Sequence, residues 1–254
     1  MELNIYTIVL IVFLIIALAT FPVLFFIVAP YGRHTRKGWG PTLPPTLGWV
    51  LMEAPSPLGM ALLYGLAPQP KETIHLVLLL IWQLHYVHRA FIFPFRRRGS
   101  QFDMPLTIVA SGFLFNVLNA YLNGYYLFFM KPAHLASGAW FGDPRFYAGA
   151  ALFALGFYMN QHADHILFHL RKPGETGYKI PQGGMYRWIS CPNYFGEMVE
   201  WFGWALLCFS PAGLAFALWT LANLLPRALA HHRWYNQKFP EYPKERKAVL
   251  PFVL

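Results

Sequence analysis

The chain has 254 residues, of which 56% are hydrophobic and only 12% charged, too few polar groups to cover a soluble globule of this size. The formal net charge of +9 could suit nucleic acid, but the basic residues flank apolar runs and form no soluble basic module. Topology and a phosphate-bearing ligand account for them better. The only two cysteines, Cys191 and Cys208, imply no disulfide framework.

Taken in chain order, apolar runs predict transmembrane helices at about 5–29, 45–66, 73–95, 105–129, 145–169, 192–210 and 213–236, each near the length needed to span hydrocarbon. The first has no basic segment ahead of it and is too long for a signal-peptide core, so it reads as an uncleaved span. The expected fold is all-α, one polytopic domain over 1–254 with seven transmembrane helices. Fifteen of the twenty Lys and Arg fall in the odd loops and the tail: Arg33, Arg36 and Lys37; Arg96, Arg97 and Arg98; Arg171, Lys172, Lys179 and Arg187; Arg233, Lys238, Lys244, Arg246 and Lys247. The even loops hold only Lys71, Lys131 and Arg145. That alternation predicts an external N-terminus and a cytosolic C-terminus. Glu53, Pro55 and Pro57 interrupt the second span, and irregular backbone at membrane depth belongs beside protein or a cavity.

Ionisable and amide side chains inside spans are costly and point to function. Asn160 and Asp164 share a face of span five, Asn193 and Glu197 a face of span six, and Arg227, His231 and Tyr235 a face of span seven, each set at a spacing of four. Interhelical polar glue is the competing reading, and it is the preferred one for Asn116, Asn119 and Asn123 on span four. The fifth loop joins its four cations to Gly174, Gly177, Gly183 and Gly184 between the polar faces of spans five and six. Cations and open backbone N–H groups suit a pyrophosphate, although no Rossmann glycine fingerprint is present.

Counted from the basic ends of their spans, Glu53 and Tyr86 both lie about 14 Å deep, at 1.5 Å per residue. A carboxyl beside a tyrosine hydroxyl at that depth makes a hydrogen-bond donor site for a carbonyl. Trp49, one turn before Glu53, is read as a cavity wall. The histidines His85 and His88, His162, His165 and His169, and His231 and His232 admit a second reading, the ligand boxes of a di-iron membrane oxygenase. The spacing alone also arises in ordinary helices, and no metal site is the favoured expectation. A third reading is a lipid-binding or transport protein without catalysis.

Four stretches carry a resemblance: LHYVHRAFIFPF from Leu84, LRKPGETGYKIPQGGMYRWISCPNYFGEMVEWFGWAL from Leu170, RALAHHRWY from Arg227, and YPKERKAVLPF near the C-terminus. Together with Glu53 they resemble the steroid 5-alpha-reductase family over nearly the whole chain. The resemblance implies a seven-helix membrane enzyme that uses NADPH to reduce the C4–C5 double bond of 3-oxo-delta-4 steroids. It implies that Glu53 and Tyr86 hold the C3 carbonyl. Asn160, Asp164, Arg171, Tyr178, Asn193, Glu197, Arg227, His231 and Tyr235 would then contact the cofactor, with 1–130 mainly on the substrate side and 131–254 mainly on the cofactor side. Three positions depart from the animal pattern: Met52 replaces a glutamine, Ser111 an arginine, and Asn223 an apolar aromatic. The substrate class therefore extends to other sterols or enoyl lipids. The expected partners are this substrate and the bilayer, with no nucleic acid and no obligate protein. The expected site is the endoplasmic reticulum in a eukaryote or the inner membrane in a bacterium.

Overall fold

In the computed structural model the described residues are 4–97, 103–172, 175 and 177–254, without the side chain of residue 137. The loop residues Arg98 and Gly174 fall outside them. Helices occupy all seven predicted ranges. They are α1 (Ile5–Phe26), α2 (Pro45–Glu53) with α3 (Pro55–Leu66), α4 (Thr73–Val87) with α5 (Phe93–Arg96), α6 (Leu106–Tyr125), α7 (Pro144–His169), α8 (Pro192–Cys208) and α9 (Pro211–Lys238). Wide π turns join α4 to α5 at His88–Ile92 and extend α6 at Tyr126–Met130.

Four of these rods are long and apolar enough to cross a membrane: Ile5–Phe26, Thr73–Arg96, Leu106–Met130 and Pro211–Lys238. The other three have specific reasons to differ. The α2–α3 rod is broken near Ala54, α7 carries Asn160 and Asp164, and α8 is only 17 residues long. Polarity is inverted across the bundle. Ser56, Asn119, Asn123 and Glu200 are fully buried, whereas Leu18, Leu58, Leu80 and Leu114 are more than half exposed. Water would penalise that outer surface, and lipid would not.

Two prolines at 55 and 57 deprive the α2–α3 junction of backbone donors. Neighbouring side chains bond the carbonyls around it: Asn116 Nδ2 donates to Met52 O at 2.8 Å, Trp82 Nε1 to Ser56 O at 3.3 Å and Gln83 Nε2 to Pro57 O at 2.8 Å. The break is thus built into the packing, and it leaves Glu53 facing α6.

Glycines set the closest helix pair. Gly149 and Gly156 on α7 meet Gly203 and Gly196 on α8, and a Cβ on any of the four would strike the opposite backbone. Small residues let helices in lipid approach in this way. The contact brings the polar ends of the two helices together. Gly156→Ala is expected to cost about 1–3 kcal/mol through overpacking. A thermal melt in detergent checks this, and an unchanged melting temperature would mean the helices can separate without penalty.

The odd loops meet at one end of the bundle. Thr42–Leu43 pairs antiparallel with Met104–Pro105, tying the first loop to the third. The tail bonds the fifth loop through Ser190 N to Lys247 O at 2.8 Å and Cys191 N to Ala248 O at 3.1 Å. Arg246, buried in the tail, donates to Pro181 O at 3.0 Å and to Gln182 Oε1 at 2.8 Å. At the other end, Lys131 Nζ donates to Pro68 O and Pro70 O, joining the fourth loop to the second.

Candidate active site

A cavity of about 1210 Å³, counting its open mouth, lies where the odd loops meet. Of the residues singled out by sequence, Trp49, Asp164, Arg171, Tyr178, Asn193, Arg227, His231 and Tyr235 line it. Six cations, Arg33, Arg89, Arg97, Arg171, Lys179 and Arg227, face one carboxylate, Asp164, among the lining residues. That imbalance favours an anionic ligand. The cavity draws on both halves of the chain, because Tyr31, Arg33, Trp49, Arg89, Phe93 and Arg97 all precede residue 130.

Its walls are preorganised. Asn193 Nδ2 donates to Asp164 Oδ1 at 3.1 Å, and behind this pair Asn160 Nδ2 donates to Asn193 O at 3.1 Å and to Glu197 Oε2 at 3.4 Å. Asn160 and Glu197 therefore stand behind the wall and orient it. Arg227 uses its donors within the chain, from Nε to Tyr194 OH at 3.2 Å, from Nη1 to Ala29 O at 3.2 Å and from Nη2 to Tyr31 O at 3.1 Å. It anchors the first loop while leaving its charge at the cavity. Arg171 donates to Gly177 O at 2.9 Å and shapes the fifth loop.

Arg33 lies over the rings of Tyr178, Trp234 and Tyr235, 5.4, 4.8 and 4.6 Å from their centroids. Its enclosed Nη1 has no hydrogen-bond partner among the described residues, nor does the Trp49 Nε1 donor. Buried donors left unmatched are costly, so an acceptor-rich ligand is called for here. Sequence reading missed Arg33 and Arg97 as site residues because their loops registered only as topology signals.

Arg89 connects this cavity to Glu53, and it too was missed, although it lies inside the Leu84 motif. The π turn at His88–Ile92 carries it, and Trp49 and Phe93 flank its guanidinium, each 4.5 Å away. Its Nε pairs with Glu53 Oε1 at 3.6 Å. Glu53 Oε2 accepts from Asn116 Nδ2 at 3.2 Å, and the Tyr86 hydroxyl accepts from Asn119 Nδ2 at 3.3 Å. Glu53 and Tyr86 are thus held by successive asparagines of the α6 stripe. The stripe does join helices, as read from sequence, but its recipients are the two residues read as the carbonyl site.

The histidines have separate partners. His85 Nδ1 contacts Glu200 Oε1 at 2.8 Å, His88 Nδ1 meets Gln161 Nε2 at 3.1 Å, and His231 Nδ1 meets His34 Nε2 at 3.0 Å. His169 bonds its own helix at His165 O, and His232 bonds Ser190. Among the described residues no three metal-ligating side chains converge. His34, in the first loop, is held down to about 4 from 6.5, first by burial and then by Arg227, Arg33 and Arg36. A lowered histidine pKa contributes stability that is complete above the unfolded value and lost as pH falls through the folded one. The melting temperature is therefore expected to fall between pH 6.5 and 4, and to fall less in His34→Gln. Equal declines in the two proteins would remove His34 from the acid response.

Residues 102–254 match the 3-oxo-5-alpha-steroid 4-dehydrogenase family. The chain is 44% identical over 234 residues to a steroid 5-alpha-reductase of Arabidopsis thaliana, covering 90% of this chain and 88% of that one. It belongs to this family. Two similar relatives are 3-oxo-5-alpha-steroid 4-dehydrogenase 1 of Bos taurus, 43% identical over 89% of this chain and 88% of its own, and that of Homo sapiens, 43% identical over 88% and 85%. The three departures from the family's animal pattern take distinct places. Met52 lies against Gly112 of α6, and Ser111 donates to Thr107 O at 2.7 Å in its own helix. Asn223 lines a small second cavity with Leu24, Val28, Ala29 and Arg227.

Proposed function

We propose that this member is a CH–CH oxidoreductase that uses NADPH to reduce the C4–C5 double bond of 3-oxo-delta-4 steroids or closely related enones. The observation that carries the reading is the juxtaposition of a cationic cavity containing two unmatched buried donors with the Arg89–Glu53 and Asn119–Tyr86 pairs behind it. The donor set fits the cofactor. Arg33, Arg171 and Lys179 would meet its phosphates, Tyr178 and Tyr235 its flat or ribose portions, and Asp164 with Asn193 its amide end. When bound, NADPH would supply the hydride that goes to the beta carbon of the enone, and a proton taken up at the alpha carbon would complete the reduction.

The chain's own groups do the rest. The Tyr86 hydroxyl oxygen accepts a hydrogen bond from Asn119, which leaves its proton to be donated to the substrate carbonyl in place of the neighbouring Ser56. Negative charge grows on that oxygen during the reaction, so the bond strengthens toward the transition state and accelerates the step. Glu53, held by Arg89 and Asn116, keeps the polar side of the pocket in place. Trp49 closes the pocket between the cofactor and the carbonyl site. The direct test incubates the purified protein with NADPH and testosterone or progesterone and looks for the 5-alpha product by mass spectrometry. Absence of any reduced enone from protein shown to be folded would overturn the assignment.

The same reading treats all seven rods as spans, with the odd loops and tail in the cytosol. It carries over a mainly substrate-side 1–130 and a mainly cofactor-side 131–254, with Arg33 crossing that division, in the membrane of the endoplasmic reticulum or a bacterial inner membrane. The charge bias supports this orientation. Cysteines introduced at Lys37 and Pro240 are expected to label from one side and one at Ala136 from the other. Cys191 and Cys208 are buried and give little background. Labelling of 37 and 240 from opposite sides would rule out the seven-span arrangement.

A further inference from the structure

We propose that Trp204, Asn123 and Asn119 are positioning residues that set the direction of the Tyr86 hydroxyl, so that its proton is held ready for the substrate carbonyl. The inference rests on the carbonyl role assigned to Tyr86 above.

Direction enters the network at Trp204, because an indole N–H can only donate. Trp204 Nε1, on α8, donates to Asn123 Oδ1 at 2.9 Å. That identifies the amide's oxygen and leaves Asn123 Nδ2 to donate to Asn119 Oδ1 at 3.0 Å, and to Asn119 O at 3.1 Å. Asn119 is thereby oriented in turn, and its Nδ2 donates to the Tyr86 hydroxyl at 3.3 Å. Turning over any one amide would face donor with donor or acceptor with acceptor. All three residues upstream of Tyr86 are at most 1% exposed, so water is not at hand to repair such a mismatch.

The far side agrees in sense. Ser56 Oγ stands beside the Tyr86 hydroxyl. Its own proton is committed to Asn116 Oδ1 at 2.7 Å, and Asn116 Nδ2 donates to Glu53 Oε2 at 3.2 Å. The Ser56 oxygen can therefore only receive from Tyr86, and the substrate carbonyl competes for that same proton. Two runs of hydrogen bonds, one from Trp204 on α8 through Asn123 and Asn119 to Tyr86 and one from Ser56 through Asn116 to Glu53, thus approach each other at the Tyr86 hydroxyl. The spacing of 116, 119 and 123 on one helix face is what lets a single helix serve both ends.

The test is isotope-edited infrared spectroscopy of a 3-oxo-delta-4 steroid bound with NADP+, where the carbonyl stretch reports how strongly the oxygen is hydrogen-bonded. Single-turnover reduction with NADPH is measured in parallel. Trp204→Phe removes the N–H while retaining a ring, and Asn119→Leu removes the donor to Tyr86. Each is expected to move the stretch part of the way toward that of Tyr86→Phe and to slow hydride transfer up to about tenfold, the size of one neutral hydrogen bond. NADP+ affinity should stay unchanged. Only folded, steroid-occupied protein contributes to the band, so reduced yield does not mask the result. Wild-type stretches in both variants, with or without a loss of melting temperature, would make the stripe helix glue and overturn the proposal. A wild-type stretch in Tyr86→Phe itself would instead overturn the carbonyl role of Tyr86.

Discussion

Tyr86→Phe is expected to slow single-turnover hydride transfer by roughly 100-fold or more, the loss that follows removal of an oxyanion-hole donor, while NADPH binding hardly changes. The phenyl ring preserves the packing of Tyr86 against Trp82 and Trp201, with centroids 4.8 and 5.5 Å away, so the substitution removes mainly the hydroxyl. Glu53→Gln keeps shape and some hydrogen-bonding capacity and should be milder than Glu53→Ala, which leaves a void and strips Arg89 of its carboxylate partner. Breaking a buried ion pair from one side is itself destabilising by about 3–5 kcal/mol, so the Glu53→Ala comparison requires a melting curve. The Glu53→Gln/Tyr86→Phe double variant should be little slower than the slower single one, because groups acting as a unit are strongly non-additive. If the two residues serve only packing, the variants lose stability and keep their rate. Wild-type hydride transfer in both Tyr86→Phe and Glu53→Ala, measured on folded and NADPH-saturated protein, would sink the mechanism.

Arg33→Ala is expected to raise the dissociation constant for NADPH on the order of ten- to a hundredfold, as loss of a charged hydrogen bond worth roughly 1.5–3 kcal/mol would do. Saturating cofactor should restore most of the turnover, because the Arg33 guanidinium packs over Tyr178, Trp234 and Tyr235 and not against the carbonyl pair. Arg171→Ala should also weaken binding strongly, and the effect should shrink as salt rises because the mouth is open to solvent. Arg227→Ala should behave differently. Its donors hold Ala29, Tyr31 and Tyr194, so its loss should lower the melting temperature along with cofactor affinity. Equilibrium binding followed by nicotinamide fluorescence separates these cases. Unchanged affinity in folded Arg33→Ala and Arg171→Ala proteins would remove the cavity from cofactor binding.

The positions of the helices were legible in the sequence because lipid tolerates only long apolar segments with internally satisfied backbones, and that rule acts locally along the chain. The prolines around Glu53 announced the broken second rod for a similar reason, since a missing N–H is a property of the residue itself. The gathering of Asp164, Asn193, Arg227 and Tyr235 at one cavity followed from helical periodicity and a shared depth at the basic ends. Tertiary packing decided which groups touch. Arg89 faces Glu53 because a π turn re-aims its side chain, and no spacing in the sequence betrays that turn. Arg33 became a cavity residue only when Tyr178 and Trp234, far away in the chain, closed on it. The asparagine stripe on α6 looked like simple helix glue because residue identity shows that an amide needs partners, whereas only the folded arrangement shows that those partners are Glu53 and Tyr86. Hydrogen-bond direction is the furthest from the sequence of all, since it depends on a donor-only indole on α8 meeting an amide on another helix.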